Sequence, residues 1–218
     1  MKYSYKKLKG SQNRDSLIIQ KSKNKNVLHL GATDAPYTKE KLEKNLLLHT
    51  HIEEVSSKLV GLDIDKKSID FLSQKGINNI HYFDMNNLAE LNMDVDVIIF
   101  GEIIEHLENL GIAFENIKNA MHNNTELIIT TPNLFYLHNP LQILLKNHEL
   151  VHHDHKVGFT YGIINQLLNA NGLEITDFYF TFLPRLREKL DKKIIRFLCK
   201  FRPAFSENLC IIAKLKKD

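Results

Sequence analysis

The sequence predicts an α/β fold built on a doubly wound, mostly parallel sheet. Three observations predict it. Short apolar runs alternate with amphipathic stretches at βαβ spacing across residues 27–130. The first three runs end at Gly31, Asp63 and Asp84, the carboxyl ends where open sheets place ligands. Two long strand-like runs, 173–182 and 207–215, then close the chain.

Each element has its own signal. Residues 1–25 are polar and basic, and they read as an arm or as one short helix around 16–20. Residues 27–30 form a short apolar strand that stops at Gly31. The pattern over 38–57 is helical. Strand 59–64 follows, then helix 66–75, which Gly76 stops. Strand 79–83 is third and the continuous apolar run 95–100 is fourth. The amphipathic pattern after it predicts a helix from about 105 to 121. Strand 126–130 is fifth, closed by Thr131, Pro132 and Asn133, which shape a turn. Residues 161–170 read as helix with Gly172 as its stop. The final two strands bring the total to seven. The link between them, 185–202, is helical and basic, with Arg185, Arg187, Lys189, Lys192, Lys193, Arg196, Lys200 and Arg202 against Glu188 and Asp191.

The bulk composition narrows the function. A chain of 218 residues with 43% hydrophobic residues supports one core, so 26–218 is read as one domain behind the 1–25 segment. A net charge of +3 permits an anionic substrate without requiring nucleic acid. Two cysteines, Cys199 and Cys210, suit a reducing compartment. No run approaches the roughly 18 apolar residues of a membrane span. The lysine-rich N-terminus lacks a following apolar stretch, so a cytoplasmic protein is expected.

The chemistry concentrates in Gly101-Glu102-Ile103-Ile104-Glu105-His106. Glu102, Glu105 and His106 are spaced i, i+3 and i+4, so a helix beginning there puts all three on one face. Two carboxylates and an imidazole at a strand end form a candidate divalent-metal site. The plainer reading is that acids in a first helical turn answer the helix dipole. Asp63 and Asp84 carry a similar choice: each binds ribose or adenine, or each caps the following helix.

The order of these pieces resembles the class I S-adenosylmethionine-dependent methyltransferases, with their Rossmann-like seven-stranded sheet and C-terminal antiparallel hairpin. The resemblance runs from about Val27 to the C-terminus. Leu28-His29-Leu30-Gly31 stands at the glycine-rich first motif, Asp63 at the ribose-binding acid and Asp84 at the adenine-loop acid. It implies S-adenosylmethionine contacts from Gly31, Ala32, Asp34, Asp63, Ile64, Asp84, Met85 and Glu102. The chain departs from the family in having one glycine in Gly31-Ala32-Thr33-Asp34-Ala35. Ala32 and Ala35 preserve close approach, and Asp34 tolerates left-handed geometry. The single-glycine loop and the Leu48-His49 pair resemble methyltransferase-like proteins linked to surface polysaccharide synthesis.

The Glu102-x-x-Glu105-His106 pattern is also similar to that of small-RNA 3′-terminal 2′-O-methyltransferases and ubiquinone-biosynthesis O-methyltransferases. By that resemblance Glu102, Glu105, His106 and His155 ligate a divalent metal such as Mn²⁺ or Mg²⁺. His152 and His153 are fallback ligands, and His106 or His153 is the base if no metal binds. The expected activity is O-methylation of a small-molecule or saccharide hydroxyl. The alternatives are metal-dependent methylation of an RNA end and a non-catalytic methyltransferase-like binding subunit. The link 185–202 either packs on its own domain or lies on a membrane surface or an anionic substrate.

Overall fold

Strand β2 (Asn26–Leu30) lies between β3 (Lys58–Asp63) and β5 (Val97–Gly101), parallel to both. This is a computed structural model that describes residues 9–84, 88, 93–149, 151–185 and 190–217. Strands β4 (Ile80–Tyr82) and β6 (Glu126–Pro132) extend the parallel sheet on either side. β8 (Asn208–Leu215) runs antiparallel to both β6 and β7 (Leu173–Phe182). All seven predicted strands are present.

The sheet has one strand more than the seven. β1 (Lys9–Asn13), within the basic N-terminal segment, pairs in parallel with β7 at the edge. The full order is β1-β7-β8-β6-β5-β2-β3-β4. Helix α1 (Arg14–Ser22) follows β1 directly, and the Asn13 side chain caps it by accepting from Ser16 N. Leu17 and Ile18 of α1 are buried against the sheet. Residues 9–22 thus form a strand–helix unit joined to the sheet.

Period-2 alternation sends the strand residues to two faces. On one face Val27, Val97, Ile99 and Ile128 pack against α1 and α3 (Leu48–Glu53). On the other, Leu28, Ile98, Phe100 and Ile129 pack against α5 (Leu110–Asn119) and α7 (Tyr161–Ala170). Phe114 and Ile164 are fully buried there, each burial being worth roughly 1.5–3 kcal/mol. Helix α4 (Lys66–Gln74) closes a smaller cluster through Leu72, Leu47 and Ile80.

Two predicted helices are broken. The 38–57 helix is α2 (Thr38–Glu43) plus α3, split where Asn45 takes φ +53°. The 105–121 helix is a single 3-10 turn, Ile104–His106, followed by α5. Asn109 explains the second break. Its side chain accepts from Ile112 N and fixes a fresh helix start. Leu107 is extended, so the turn before it is a separate unit. A further helix, α6 (His138–Lys146), occupies the stretch after β6 where the alternation loosened.

Candidate functional site

The carboxyl ends of β2, β3, β5 and β6 share one edge of the sheet. Connections from β2 lead toward β3 and those from β5 toward β6, so the chain direction splits between them. That split is where open α/β sheets leave a ligand crevice. Gly31 and the Glu102 segment form its two lips. A Cβ on Gly31 would stand 2.9 Å from Ile103 Cδ1. Gly31 also has φ +69°, a conformation only glycine adopts freely.

The loop after β2 is tied to β3. Gly31 N donates to Leu62 O (2.8 Å), and the Thr33 N–H and hydroxyl donate to Asp63 Oδ2 (2.9 and 2.7 Å). Asp63 Oδ1 accepts from Asp65 N (3.0 Å). Asp63 thus braces the loop, and the alternative helix-cap role falls to Asp65, which accepts from Ser68 N. Ile64, beside Asp63, is 70% exposed. Asp34 takes the left-handed conformation (φ +56°). Its Oδ1 pairs with Lys41 Nζ (2.6 Å), while its Oδ2 is buried without a hydrogen-bond partner. Asp84 is exposed just beyond β4, and Met85 lies outside the described residues.

The two glutamates do not share a face. Glu102 sits before the 3-10 turn at φ +54°, a strained position for a residue with a side chain. Its carboxylate turns to α1, β6 and β8. It accepts from Thr130 Oγ1 (2.7 Å) and from Asn208 Nδ2 (2.9 and 3.1 Å), and Arg14 Nη1 stands 3.4 Å away. Arg14 is itself 5% exposed and donates from Nε to Asp15. Burial would lower its pKa, but the carboxylates of Asp15, Glu102 and Asp34 outweigh that and raise it.

Glu105 faces the other way and meets the histidine loop. It is 1% exposed. Oε2 accepts from Thr131 Oγ1 (3.0 Å). Oε1 has no hydrogen-bond partner and lies 4.0 Å from both His106 Nε2 and His155 Nε2. The three donor atoms fall within 4.8 Å of one another. Backbone bonds from Lys156 N and Val157 N to Glu105 O (2.8 and 3.3 Å) clip the loop in place. Burial, then the nearby Glu102 charge, pushes the Glu105 carboxyl up to about 8. Burial, then His106 and His152, lowers His155 and keeps it neutral.

The tautomer of His106 follows from one contact. Its Nδ1 lies 3.2 Å from Asp154 O, a carbonyl that only accepts. Nδ1 must carry the hydrogen, so in the neutral ring the Nε2 lone pair points toward Glu105. This is the orientation seen in metal-ligating histidines.

The structure therefore brings together Glu105, His106 and His155 of the predicted ligand set and draws Glu102 away from it. His153 also stands apart: its side chain is 80% exposed and pairs with Asp154 (3.0 Å). Sequence reasoning missed Arg14, Thr130, Thr131 and Asn208. For Arg14 a signal existed, because Asn13 followed by the apolar pair Leu17-Ile18 is a helix start with a buried face. Asn208, at the start of β8, carries no such mark.

Comparison with known proteins places the fold. No family profile matches the sequence, and no curated protein does. Among solved structures, a SAM-dependent methyltransferase from Archaeoglobus fulgidus superposes with a TM-score of 0.60 at 19% identity, covering 92% of this chain and 91% of that one. A putative S-adenosylmethionine-dependent methyltransferase from Listeria monocytogenes gives 0.58 at 13%, covering 93% and 98%. The 1,6-didemethyltoxoflavin-N1-methyltransferase of Burkholderia thailandensis gives 0.52 at 15%, covering 93% and 77%. The strand order, the C-terminal antiparallel pair and these superpositions show that the chain has the fold of the class I S-adenosylmethionine-dependent methyltransferases.

Proposed function

We propose that the chain is an S-adenosylmethionine-dependent methyltransferase acting on a hydroxyl of a small molecule or sugar. The observation that carries this reading is the unpartnered Glu105 Oε1 facing two imidazoles at the lip of the crevice. The residues present fit the cofactor. Gly31 admits close approach, Asp63 keeps acceptor capacity for ribose hydroxyls, and exposed Ile64 suits an adenine face. The orphaned Asp34 Oδ2 suits an ammonium donor. Bound there, the cofactor supplies an electrophilic methyl group on sulfur.

The residues of the chain do the rest. The crevice walls orient the acceptor, and orientation supplies much of the rate. The donor set Glu105, His106 and His155 also fits a divalent cation of the Mn²⁺ or Zn²⁺ type. A cation held there would supply Lewis acidity toward the acceptor hydroxyl and offset the buried Glu105 charge. In the metal-free reading, His106 Nε2 takes the hydroxyl proton as the oxygen–methyl bond forms and the carbon–sulfur bond breaks.

Calorimetry with S-adenosylhomocysteine tests the first step. Binding in the wild type, weakened roughly 10- to 100-fold in Asp63→Ala, is expected, since bonds to a charged acceptor are worth about 1.5–3 kcal/mol. No heat at millimolar ligand would leave only a non-catalytic role. A Mn²⁺ titration of wild type against Glu105→Gln, read by electron paramagnetic resonance, tests the cation site apart from turnover. Equal uptake by both proteins would remove it.

A further inference from the structure

Helix α8 (Leu190–Phe201), in the β7–β8 connection, uses the smaller of its two apolar faces to bind its own domain. Ile195 and Cys199, four residues apart, are its buried residues. They join Tyr136 and Phe182, with Leu137 and Leu141 packed alongside. The larger apolar face is open. Leu190, Ile194, Phe197, Leu198 and Phe201 recur at i, i+4, i+7, i+8 and i+11, one stripe of about 100°. Their exposure runs from 45% (Leu198) to 74% (Leu190). Phe197 and Phe201 form an edge-to-face pair with centroids 5.5 Å apart.

Single exposed apolar residues are ordinary, but a contiguous stripe on a helix points to a partner. The surrounding charge says which kind. Lys193 and Lys200 are exposed and flank the stripe on one side, and exposed Arg202 follows the helix end. Asp191 is the one acid among residues 190–202. A basic flank beside a Phe/Leu/Ile stripe is the pattern of helices lying at the surface of anionic bilayers. A protein partner of this chemistry would need its own acidic groove, whereas an anionic bilayer offers apolar depth and negative charge together.

Topology places the stripe on the functional side. β7 is antiparallel to β8 and β8 to β6, so β7 ends at the same sheet edge as β6. α8 follows β7 there, and α6, with exposed Ile143, Leu144 and Leu145, follows β6. We propose that α8 is a membrane-surface helix that seats the crevice edge of the domain on an anionic lipid bilayer. This does not rest on the methyl-transfer reading.

Sedimentation with phosphatidylglycerol/phosphatidylcholine vesicles, against pure phosphatidylcholine, tests it. Wild type pellets with the anionic vesicles, stays free of the neutral ones and is released by salt. The double variant F197E/F201E loses about tenfold or more in vesicle affinity, with an unchanged melting temperature showing that it folds. K193E/K200E loses binding to the anionic vesicles as well. Absence of wild-type binding, or equal binding by F197E/F201E, overturns the proposal. So does a wild-type dimer in light scattering that F197E/F201E abolishes, because a second copy would then cover the stripe.

Discussion

Lowering the pH from about 7 to 5 should destabilise this protein through one buried pair, His29 and His49. His29 lies in β2 and His49 in α3, 4% and 0% exposed, with their Nδ1 atoms 3.2 Å apart. The hydrogen positions follow from the neighbours. Asn79 donates from Nδ2 to Glu53 Oε1 (2.9 Å), so its Oδ1 faces His49 Nε2 (3.2 Å) and accepts from it. His49 Nδ1 is then the acceptor and His29 Nδ1 the donor. A proton added to His49 sets two N–H groups against each other. Burial first, with His49 itself adding repulsion, lowers His29 well below its ordinary value. Burial lowers His49 to about 4 from 6.5, against smaller opposing contributions from Asn79 and Asp34. The unfolded chain therefore takes up the proton first. The stability held by the neutral ring is whole above about pH 6.5 and falls as pH drops toward 4. For His49 alone the loss is about 2 kcal/mol by pH 5 and about 3 kcal/mol at pH 4 and below. Urea unfolding at several pH values between 7.5 and 5, wild type against His49→Gln, measures it. The gap between the two proteins should close or invert by about 2 kcal/mol over that range. Parallel pH profiles would refute the assigned tautomers and the neutral pair.

Gly61 lies under the same pair, and a Cβ there would stand 2.7 Å from His49 Cε1, 2.8 Å from Ala32 Cβ and 2.9 Å from Ile80 Cγ1. Gly61→Ala should cost roughly 1–3 kcal/mol by overpacking, read as a lower urea midpoint with an unchanged slope. Arg14→Met leaves Glu102 without its cation and should cost about 3–5 kcal/mol, whereas the paired change Arg14→Met/Glu102→Gln should recover much of it. Glu105→Gln should raise stability in chelator by roughly 1–3 kcal/mol near pH 7 while ending Mn²⁺ uptake. The sign follows from the raised carboxyl. The folded chain holds a proton that the unfolded chain has lost, so wild-type stability declines as pH climbs from 4.5 to about 8, and the variant lacks that decline.

The sheet was legible because its signals are local. Val97–Phe100 and the Leu127–Ile129 centre of Glu126–Pro132 are continuously apolar, as strands covered on both faces tend to be. The N-terminal strand carried no such run. Lys9–Asn13 reads KGSQN and pairs at the sheet edge. The helix after β5 misled for another reason. Apolar periodicity continues from Ile104 through Ile117, and only a single capping side chain, Asn109, restarts the helix at Leu110. A cap outweighs periodicity there, because one accepted hydrogen bond satisfies an otherwise orphaned N–H.

The site shows where sequence spacing stops being informative. Helical geometry would place Glu102 and Glu105 on one face, but the left-handed turn at Glu102 rotates the two carboxylates apart. Their environments then diverge. Glu102 meets an arginine, an amide and a hydroxyl drawn from α1, β8 and β6, none of which lies near it in the chain. Glu105 meets a hydroxyl on one oxygen and two imidazole nitrogens at 4.0 Å on the other, with no lysine or arginine paired to it among the described residues. Two acids three residues apart thus become an ion-paired structural anchor and a buried carboxyl raised to about 8, the kind of separation by which one fold can divide such roles. Arg14 is committed to Glu102 and not to Glu105. Were Arg14 to turn from Glu102 to Glu105, the carboxyl facing His106 and His155 would be an ordinary ion pair, and the proposed cation or proton site would lose its basis.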